Sequence, residues 1–352
     1  MSILFSAGEV GSFNAIFKCF EVLQNKRDCY FHFTELSKKN CSPDSLLEID
    51  LSSPLLEIKR FLKSKNIDTL LYSVNLFSNE TRQLAGICKK LDIKLLHVLD
   101  YWNGYIERLR VGNEIIFPHI YLVPDRKAFT EAIAEGIPED IIIISGNPAF
   151  SDKLNIYQEL KSSSVFKPTP KKIAFIAEPI LQDQGDESAE TFRGYSEQSV
   201  LSLFSESLES IDAPAVDIIP HPRQDLPTLK SFLSNLGNDS FKLRQNISIT
   251  KSFHEYQGIV GMSSSVLYEA WLFGLPTLSI QPNLRNPSLK IAMQRKGICL
   301  VLNQDHALHE ITQWLSTLTS NPNIHTVKFE ELNRHVGSIK IIESLLSLPD
   351  NI

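Results

Sequence analysis

Residues 258–281 read GIVGMSSSVLYEAWLFGLPTLSIQ, a pattern of strand, tight turn, helix, turn and strand. The apolar run 258–261 predicts the end of a buried strand. Residues 266–273 predict a helix with Ser263 as its N-cap, and Gly274 ends that helix before the second strand. A β-α-β unit of this kind favours a parallel sheet with helices on its faces.

The turn inside this unit has the chemistry of an anion site. Ser263, Ser264 and Ser265 open the helix, where unpaired backbone N–H groups and the helix dipole both favour negative charge. Glu269 follows Ser265 by four residues and therefore lies on the same helical face. We interpret the serines as ligands of a phosphate and Glu269 as a ligand of a sugar hydroxyl. The alternative is that the serines only cap a helix that belongs to the core.

Composition limits the classes of protein that the chain can represent. Its 352 residues, with 43% hydrophobic and 22% charged residues, are typical of a globular protein of about two domains. A net charge of -6 argues against a general nucleic-acid-binding surface. The sequence shows no signal peptide and no apolar stretch as long as a membrane span. We therefore expect a cytoplasmic protein, and peripheral association with the inner face of a membrane stays open.

The cysteines indicate neither disulfides nor a zinc site. They are scattered, odd in number and without CxxC spacing, which is typical of reduced thiols. The five are Cys19, Cys29, Cys41, Cys88 and Cys299.

Strand and helix patterns alternate along both halves of the chain, which predicts two Rossmann-like α/β domains facing each other across a cleft. A polar segment at residues 151–172 separates the halves and predicts the interdomain crossing. We therefore expect an N-terminal domain at residues 1–165 and a second domain at residues 166–330. Residues 331–352 predict a C-terminal helix. One interpretation is that this helix packs back on the first domain.

Two acidic residues of the first half follow predicted strands. Glu9 comes after the strand at residues 2–5, and Asp100 comes after the strand at residues 93–99. The carboxyl ends of strands form the functional edge of an open α/β sheet, so both are candidate functional residues. A solvated loop glutamate is an equally good interpretation of Glu9.

A motif of the second half also follows a strand and reads Pro220-His221-Pro222-Arg223. In a parallel sheet it opens on the same edge as the serine turn. A histidine, a guanidinium and three hydroxyls would then meet at one place, as in a diphosphate or phosphodiester pocket. The prolines restrict the backbone on both sides of His221.

Other sites are not indicated. The first glycine turn is not GxGxxG, and the chain has no GxxxxGK loop and no GxSxG elbow. Asp183, Asp186 and Glu187 could hold a metal, but a solvated acidic loop is the better interpretation. We therefore expect no bound metal and no cofactor.

These motifs resemble the GT-B superfamily of sugar-nucleotide enzymes. His221-Pro222 with the serine pair is similar to the paired motifs of bacterial sialyltransferases, Kdo transferases and polyol-phosphate transferases. Residues 261–276 resemble the nucleotide-binding unit of these transferases and of UDP-N-acetylglucosamine 2-epimerases. In the first half, residues 6–12 resemble the glycine-rich loop of proteins like lipid-A-disaccharide synthase. The resemblance covers most of the chain at the level of the fold.

The resemblance implies that residues 1–165 form an acceptor domain and residues 166–330 a nucleotide-sugar donor domain, and it implies a role for each candidate residue. His221 and Arg223 would hold the donor phosphate together with the serines at 263–265, with His221 also catalytic, and Glu269 would bind the ribose. The general base would be Glu9 or Asp100, although the chain lacks the acidic-acidic-glycine motif of the sialyltransferases. GT-B enzymes usually need no metal.

The resemblance favours a glycosyltransferase that moves a sugar from a CMP-, CDP- or UDP-linked donor to a glycan or glycolipid acceptor. Two alternatives stay open. One is an isomerase or hydrolase of the UDP-GlcNAc 2-epimerase type, and the other is a non-catalytic nucleotide-sugar binding protein of the same fold.

Overall fold

The computed structural model describes residues 2–75, 79–162, 172–209, 214–320 and 327–347. Its contacts divide the chain into two compact units. The first unit, Met1–Leu154 with Glu330–Ile352, is called the first domain, and Asn155–Phe329 is called the second domain. The division falls inside the predicted crossing, whereas the predicted boundary at residues 165/166 lies outside the described residues.

The first domain is an alternation of strands and helices. Its strands are β1 Ser2–Ser6, β2 Cys29–His32, β3 Leu46–Leu47, β4 Ile67–Tyr72, β5 Lys94–Val98, β6 Arg110–Val111, β7 Glu114–Ile115, β8 Ile120–Val123 and β9 Ile142–Ile144. Its helices are α1 Val10–Leu23, α2 Glu35–Asn40, α3 Leu55–Ser64, α4 Asn79–Lys90, α5 Arg126–Glu135 and, from the end of the chain, α12 Phe329–Leu346.

The described strands of the first domain form a parallel sheet in the order β3-β2-β1-β4-β5-β8-β9, beside a small β6-β7 hairpin. The chain order reverses between β1 and β4, as in a doubly wound Rossmann-like sheet. Both faces are covered, because Phe5 packs in one hydrophobic cluster and the adjacent Leu4 in another. Strands buried on two faces explain the apolar runs of the sequence.

Helix α12 completes the core of the first domain. Ile342 and Leu346 pack in the same hydrophobic cluster as Phe5. The turn at Gly146 approaches the helix closely, since a Cβ added there would lie 2.5 Å from the Arg334 carbonyl oxygen. Gly146 also has φ +84°, which favours glycine.

The second domain repeats this architecture. Its strands are β10 Lys172–Ile176, β11 Ala215–Ile219, β12 Phe241–Leu243, β13 Gly258–Gly261, β14 Thr277–Ile280 and β15 Ile298–Val301. Its helices are α6 Lys153–Ser162, which begins at the domain division, α7 Ile180–Gln184, α8 Glu197–Glu209, α9 Leu226–Leu236, α10 Ser265–Leu272 and α11 Gln304–Ser320.

The described strands of the second domain form a parallel sheet in the order β12-β11-β10-β13-β14-β15. The chain order reverses between β10 and β13. Ligands of open α/β sheets bind outside the carboxyl ends of the strands at such a reversal. The structure thus places the serine turn, which follows β13, where this rule expects a ligand.

Some elements differ from the expectation. The polar crossing contains helix α6, Lys153–Ser162, because Leu, Gln, Glu and Lys there are good helix formers. Residues 180–184 of the predicted acidic loop form the short helix α7. The N-cap of α10 is Ser264 rather than Ser263, since the Ser264 hydroxyl accepts the Val266 N–H.

Candidate functional site at the carboxyl edge of the second sheet

Three adjacent strands carry the candidate residues of the second domain. β10 lies between β11 and β13, and Phe175 is in register with Ile218 on one side and Val260 on the other. His221 follows β11 and Ser263 follows β13. Neighbouring strands are about 4.8 Å apart, so the two loops leave the sheet ~10 Å from each other.

The space between these loops is occupied by Glu178, which follows β10. Glu178 Oε1 accepts backbone N–H groups of Met262 at 3.3 Å, Ser263 at 2.7 Å and Ser264 at 3.0 Å. Its Oε2 accepts the Ser263 hydroxyl at 2.8 Å. We call residues 262–265 the anion turn, because its donors converge on one carboxylate. A side chain of the protein therefore holds the position that the sequence analysis assigned to a phosphate.

Glu178 is also surrounded by polar side chains. It is 9% exposed, and this burial raises its pKa, while hydrogen bonds from Ser263 and the charge of Arg193 oppose the rise. The buried Tyr195 hydroxyl donates to Gln281 Oε1 at 3.3 Å and also interacts with Ser263 and Arg193. Burial raises the pKa of Tyr195, and the Glu178 charge raises it further. The anion turn is thus one side of a polar cluster.

The His221 loop has a defined hydrogen-bonding state. His221 Nδ1 accepts the Arg223 backbone N–H at 3.1 Å, so the proton of the neutral imidazole lies on Nε2. Burial and the nearby Arg223 charge lower the pKa of His221, against the opposite effect of Asp183. The imidazole is therefore neutral at pH 7.

Arg223 already has an anionic partner. Its guanidinium donates to both Asp183 oxygens, at 2.7 and 3.0 Å, and the Arg223 side chain is 48% exposed. Asp183, considered above as a metal ligand, is thus engaged in an ion pair. Arg223 also lines a cavity of about 350 Å³, together with Gln182, Gln198 and Thr228.

Glu269 has an internal partner as well. It is 8% exposed on α10, and its Oε2 accepts the Thr250 hydroxyl at 2.7 Å. Thr250 lies outside the β-α-β unit, and its hydrogen bond orients the Glu269 carboxylate.

The two candidate bases of the first domain differ sharply. Asp100 Oδ1 accepts from the Arg108 guanidinium at 2.6 Å, and Arg108 is 3% exposed. Arg108 also donates to the carbonyl oxygens of Val74 and Asn103. Glu9 occupies the N-cap position of α1 without a side-chain cap hydrogen bond and is partly exposed. Of the two carboxylates, that of Glu9 is the better placed to accept a proton.

The first sheet also buries a histidine, His97, between two aromatic rings. His97 lies between Tyr121, with ring centroids 4.7 Å apart, and Tyr72, at 5.1 Å. Neither ring nitrogen of His97 finds a hydrogen-bond partner among the described atoms. Burial, with a smaller effect of Arg108, lowers the pKa of His97 to about 3.

Sequence reasoning missed Glu178, Arg193, Tyr195 and Arg108. For Glu178 a signal was present, since it follows a strand as Glu9 and Asp100 do. Arg193 and Tyr195 lie in a loop and Arg108 lies in a short 3-10 helix, where the sequence pattern gives no sign of the contacts that they make.

The part of the chain that the structure describes shows neither a metal cluster nor a membrane-spanning helix. Within it, no three His, Cys, Asp or Glu side chains are grouped so that they could hold a metal ion. No helix among the described residues combines the length and apolar character needed to cross a membrane.

Comparisons with known proteins relate the chain to solved structures alone. No protein-family model matches it, and no curated protein matches it by sequence. UDP-GlcNAc 2-epimerase from Neisseria meningitidis, bound to UDP-GlcNAc, is 15% identical with a TM-score of 0.66, over 99% of this chain and 100% of that one. The epimerase from Methanocaldococcus jannaschii is 15% identical with a TM-score of 0.65, over 98% and 99%. MurG from Acinetobacter baumannii is 11% identical with a TM-score of 0.59, over 98% of each chain.

At such low identity these matches show the fold. The chain has the GT-B fold, with two Rossmann-like α/β domains. The predicted fold class and the predicted resemblance to GT-B and epimerase folds are confirmed.

Proposed function

We propose that the chain is a glycosyltransferase of the GT-B type that uses a nucleotide-activated sugar and a glycan or glycolipid acceptor. The observation that carries this proposal is the anion turn at the strand-order reversal of the second sheet. Its N–H groups and the Ser263 hydroxyl converge on one anion. In the proposed complex that anion is a donor phosphate.

The neighbouring loop would supply further donors to the leaving phosphate. His221 offers its Nε2–H, because Nδ1 accepts from Arg223. The Arg223 guanidinium has five N–H donors and is oriented by Asp183. Such preorganised donors stabilise charge on a leaving group without a metal ion. We therefore propose a metal-independent reaction whose rate is unchanged by EDTA.

The proposed reaction needs a base for the acceptor hydroxyl, and we assign that role to Glu9. Its carboxylate takes the hydroxyl proton, the acceptor oxygen bonds to the anomeric carbon, and the bond from that carbon to the nucleotide phosphate breaks. Asp100 is the weaker candidate, since a proton accepted there would disrupt its pairing with Arg108.

The proposal is tested by nucleotide binding and by turnover. A panel of CMP, CDP and UDP should contain one nucleotide that raises the melting temperature, because it binds only the folded state. With the matching sugar donor, His221→Ala should lower turnover about 100-fold or more, the scale for losing one transition-state donor. His254→Ala is the matched control, since that exposed histidine also bonds to nearby backbone, at Lys251. Wild-type turnover by His221→Ala would contradict the proposal.

A second candidate function is favoured by the fold comparisons, in which UDP-GlcNAc 2-epimerases match nearly the whole chain. An epimerase would convert UDP-GlcNAc with no acceptor present, whereas a transferase would require one. An acceptor-free assay therefore separates the two. Nucleotide binding without turnover in either assay would indicate a binding protein.

A further inference from the structure

We infer that the Glu178 carboxylate competes with the substrate phosphate for the anion turn and must be displaced before the phosphate binds. The inference rests on the proposed function for the identity of the natural ligand. Glu178 holds the turn at the point where the strand order of the second sheet reverses, the place at which such sheets bind ligands.

The contacts of Glu178 are those of an anion that a phosphate can replace. Three backbone N–H groups and one hydroxyl donate to its two oxygens. Each phosphate of a nucleotide sugar offers two free acceptor oxygens and one negative charge, as a carboxylate does, and inorganic phosphate offers more of both. The donors that now serve the carboxylate can therefore be satisfied at least as well by the incoming group.

Two side chains outside the turn extend the site. The charge of Arg193 acts on Glu178, and Arg193 is partly exposed. The Tyr195 hydroxyl interacts with both Arg193 and Ser263 while its ring is buried. A cation and a hydroxyl thus lie beside the backbone donors, so the site is more than the N-terminus of one helix.

The exchange requires only a local movement. Glu178 lies in the short link of residues 177–179 between β10 and α7, and its side chain turns about three single bonds. As the phosphate takes over the donors of the turn, no buried N–H is left unpaired, which avoids the main cost of removing Glu178. The displaced carboxylate keeps Arg193 as a neighbouring cation.

The experiment compares the affinity of the wild type and of Glu178→Ala for inorganic phosphate by isothermal titration calorimetry. We expect Glu178→Ala to bind phosphate roughly tenfold to a hundredfold more tightly, the range given by charge-assisted hydrogen bonds. Glu197→Ala is the matched control. Glu197 is also buried, but its Oε2 accepts a single backbone N–H, that of Leu181 at 2.8 Å. Its phosphate affinity should equal that of the wild type.

Two more variants test whether the gain in phosphate affinity arises at the anion turn. Glu178→Ala combined with Ser263→Ala should lose a large part of the gained affinity, because Ser263 then cannot donate its hydroxyl. Glu178→Gln keeps the size of the side chain and removes the charge, so it should show a smaller gain. It replaces Glu178→Ala if that variant does not fold. Unchanged phosphate affinity in folded Glu178→Gln or Glu178→Ala would overturn the inference.

The nucleotide panel separates this inference from the proposed function. If Glu178→Ala gains phosphate affinity while no nucleotide binds either protein, the inference stands and the proposed function fails. If a nucleotide binds the wild type and Glu178→Ala equally tightly, the proposed function stands and the inference fails.

Discussion

Asp100 in the first domain and Glu178 in the second are both nearly buried carboxylates that follow a parallel strand. Asp100 is paired with the Arg108 guanidinium, which is itself buried. Glu178 is held mainly by backbone N–H groups and a serine hydroxyl. Leaving a buried arginine without its carboxylate partner has a high free-energy cost. Backbone N–H groups, in contrast, can donate to any anion of suitable geometry. The first arrangement therefore stabilises the fold, and the second can be exchanged for a ligand.

The largest effect is expected from breaking the ion pair of the first domain. Arg108→Met leaves the Asp100 carboxylate buried without its cation and removes hydrogen bonds to two carbonyl groups. The loss in the free energy of unfolding should be ~3–5 kcal/mol. Urea denaturation followed by circular dichroism measures it. Arg110→Met is the control, because the Arg110–Glu107 pair is largely exposed and such pairs contribute less than about 1 kcal/mol.

A double variant sharpens this prediction. Asp100→Asn together with Arg108→Met removes both charges, so it should be less destabilising than the two single losses added together. Additive losses would show that the two side chains do not act as a pair.

A smaller effect is expected at the anion turn. Glu178→Ala leaves three backbone donors without their acceptor and should lower the free energy of unfolding by ~1–3 kcal/mol. Glu178→Gln should cost less, since its amide oxygen can still accept from the turn. Adding phosphate should restore stability to Glu178→Ala more than to the wild type. A loss as large as that of Arg108→Met would remove the distinction between the two carboxylates.

The smallest effect concerns the buried His97 of the first sheet. Its pKa is lowered from 6.5 to about 3, so the unfolded chain binds a proton that the folded chain does not. This contribution to stability is present above pH 6.5 and is lost as the pH falls toward 3. His97→Phe keeps an aromatic ring between Tyr72 and Tyr121 and removes two buried nitrogens that have no hydrogen-bond partner among the described residues.

The His97→Phe variant should therefore be about 1 kcal/mol more stable at pH 7 and less sensitive to acid. Urea denaturation at a series of pH values gives the free energy of unfolding of the wild type and of the variant. The slope of this free energy against pH is then compared between the two proteins. An unchanged slope would mean that His97 titrates alike in the folded and unfolded chains.

The sequence predicted the elements whose signals are local. Strand β13 appears at the predicted residues 258–261, and α10 lies within one residue of its expected position. Strands β3 and β12 were not predicted, because two or three residues at a sheet edge are too few to show a period. Their place depends on the partner strands β2 and β11.

The candidate site was also predictable only in part, because local sequence signals do not show contacts between residues that are far apart in the chain. The serine turn and the His221 loop are visible as motifs that follow strands. Their partners are not, since Glu178 contacts a turn 84 to 86 residues away and Asp183 meets Arg223 across 40 residues. Such pairings arise only when the sheet brings distant loops together.

Helix α12 has a consequence for the order in which the protein folds. Because Ile342 and Leu346 complete a hydrophobic cluster with residues from β1 and α1, the first domain is built from both ends of the chain. The second domain is topologically an insertion, and its own strands are synthesised before α12 leaves the ribosome. Domains generally fold as units during synthesis. The first domain starts before the second in this sequence, but its core closes last.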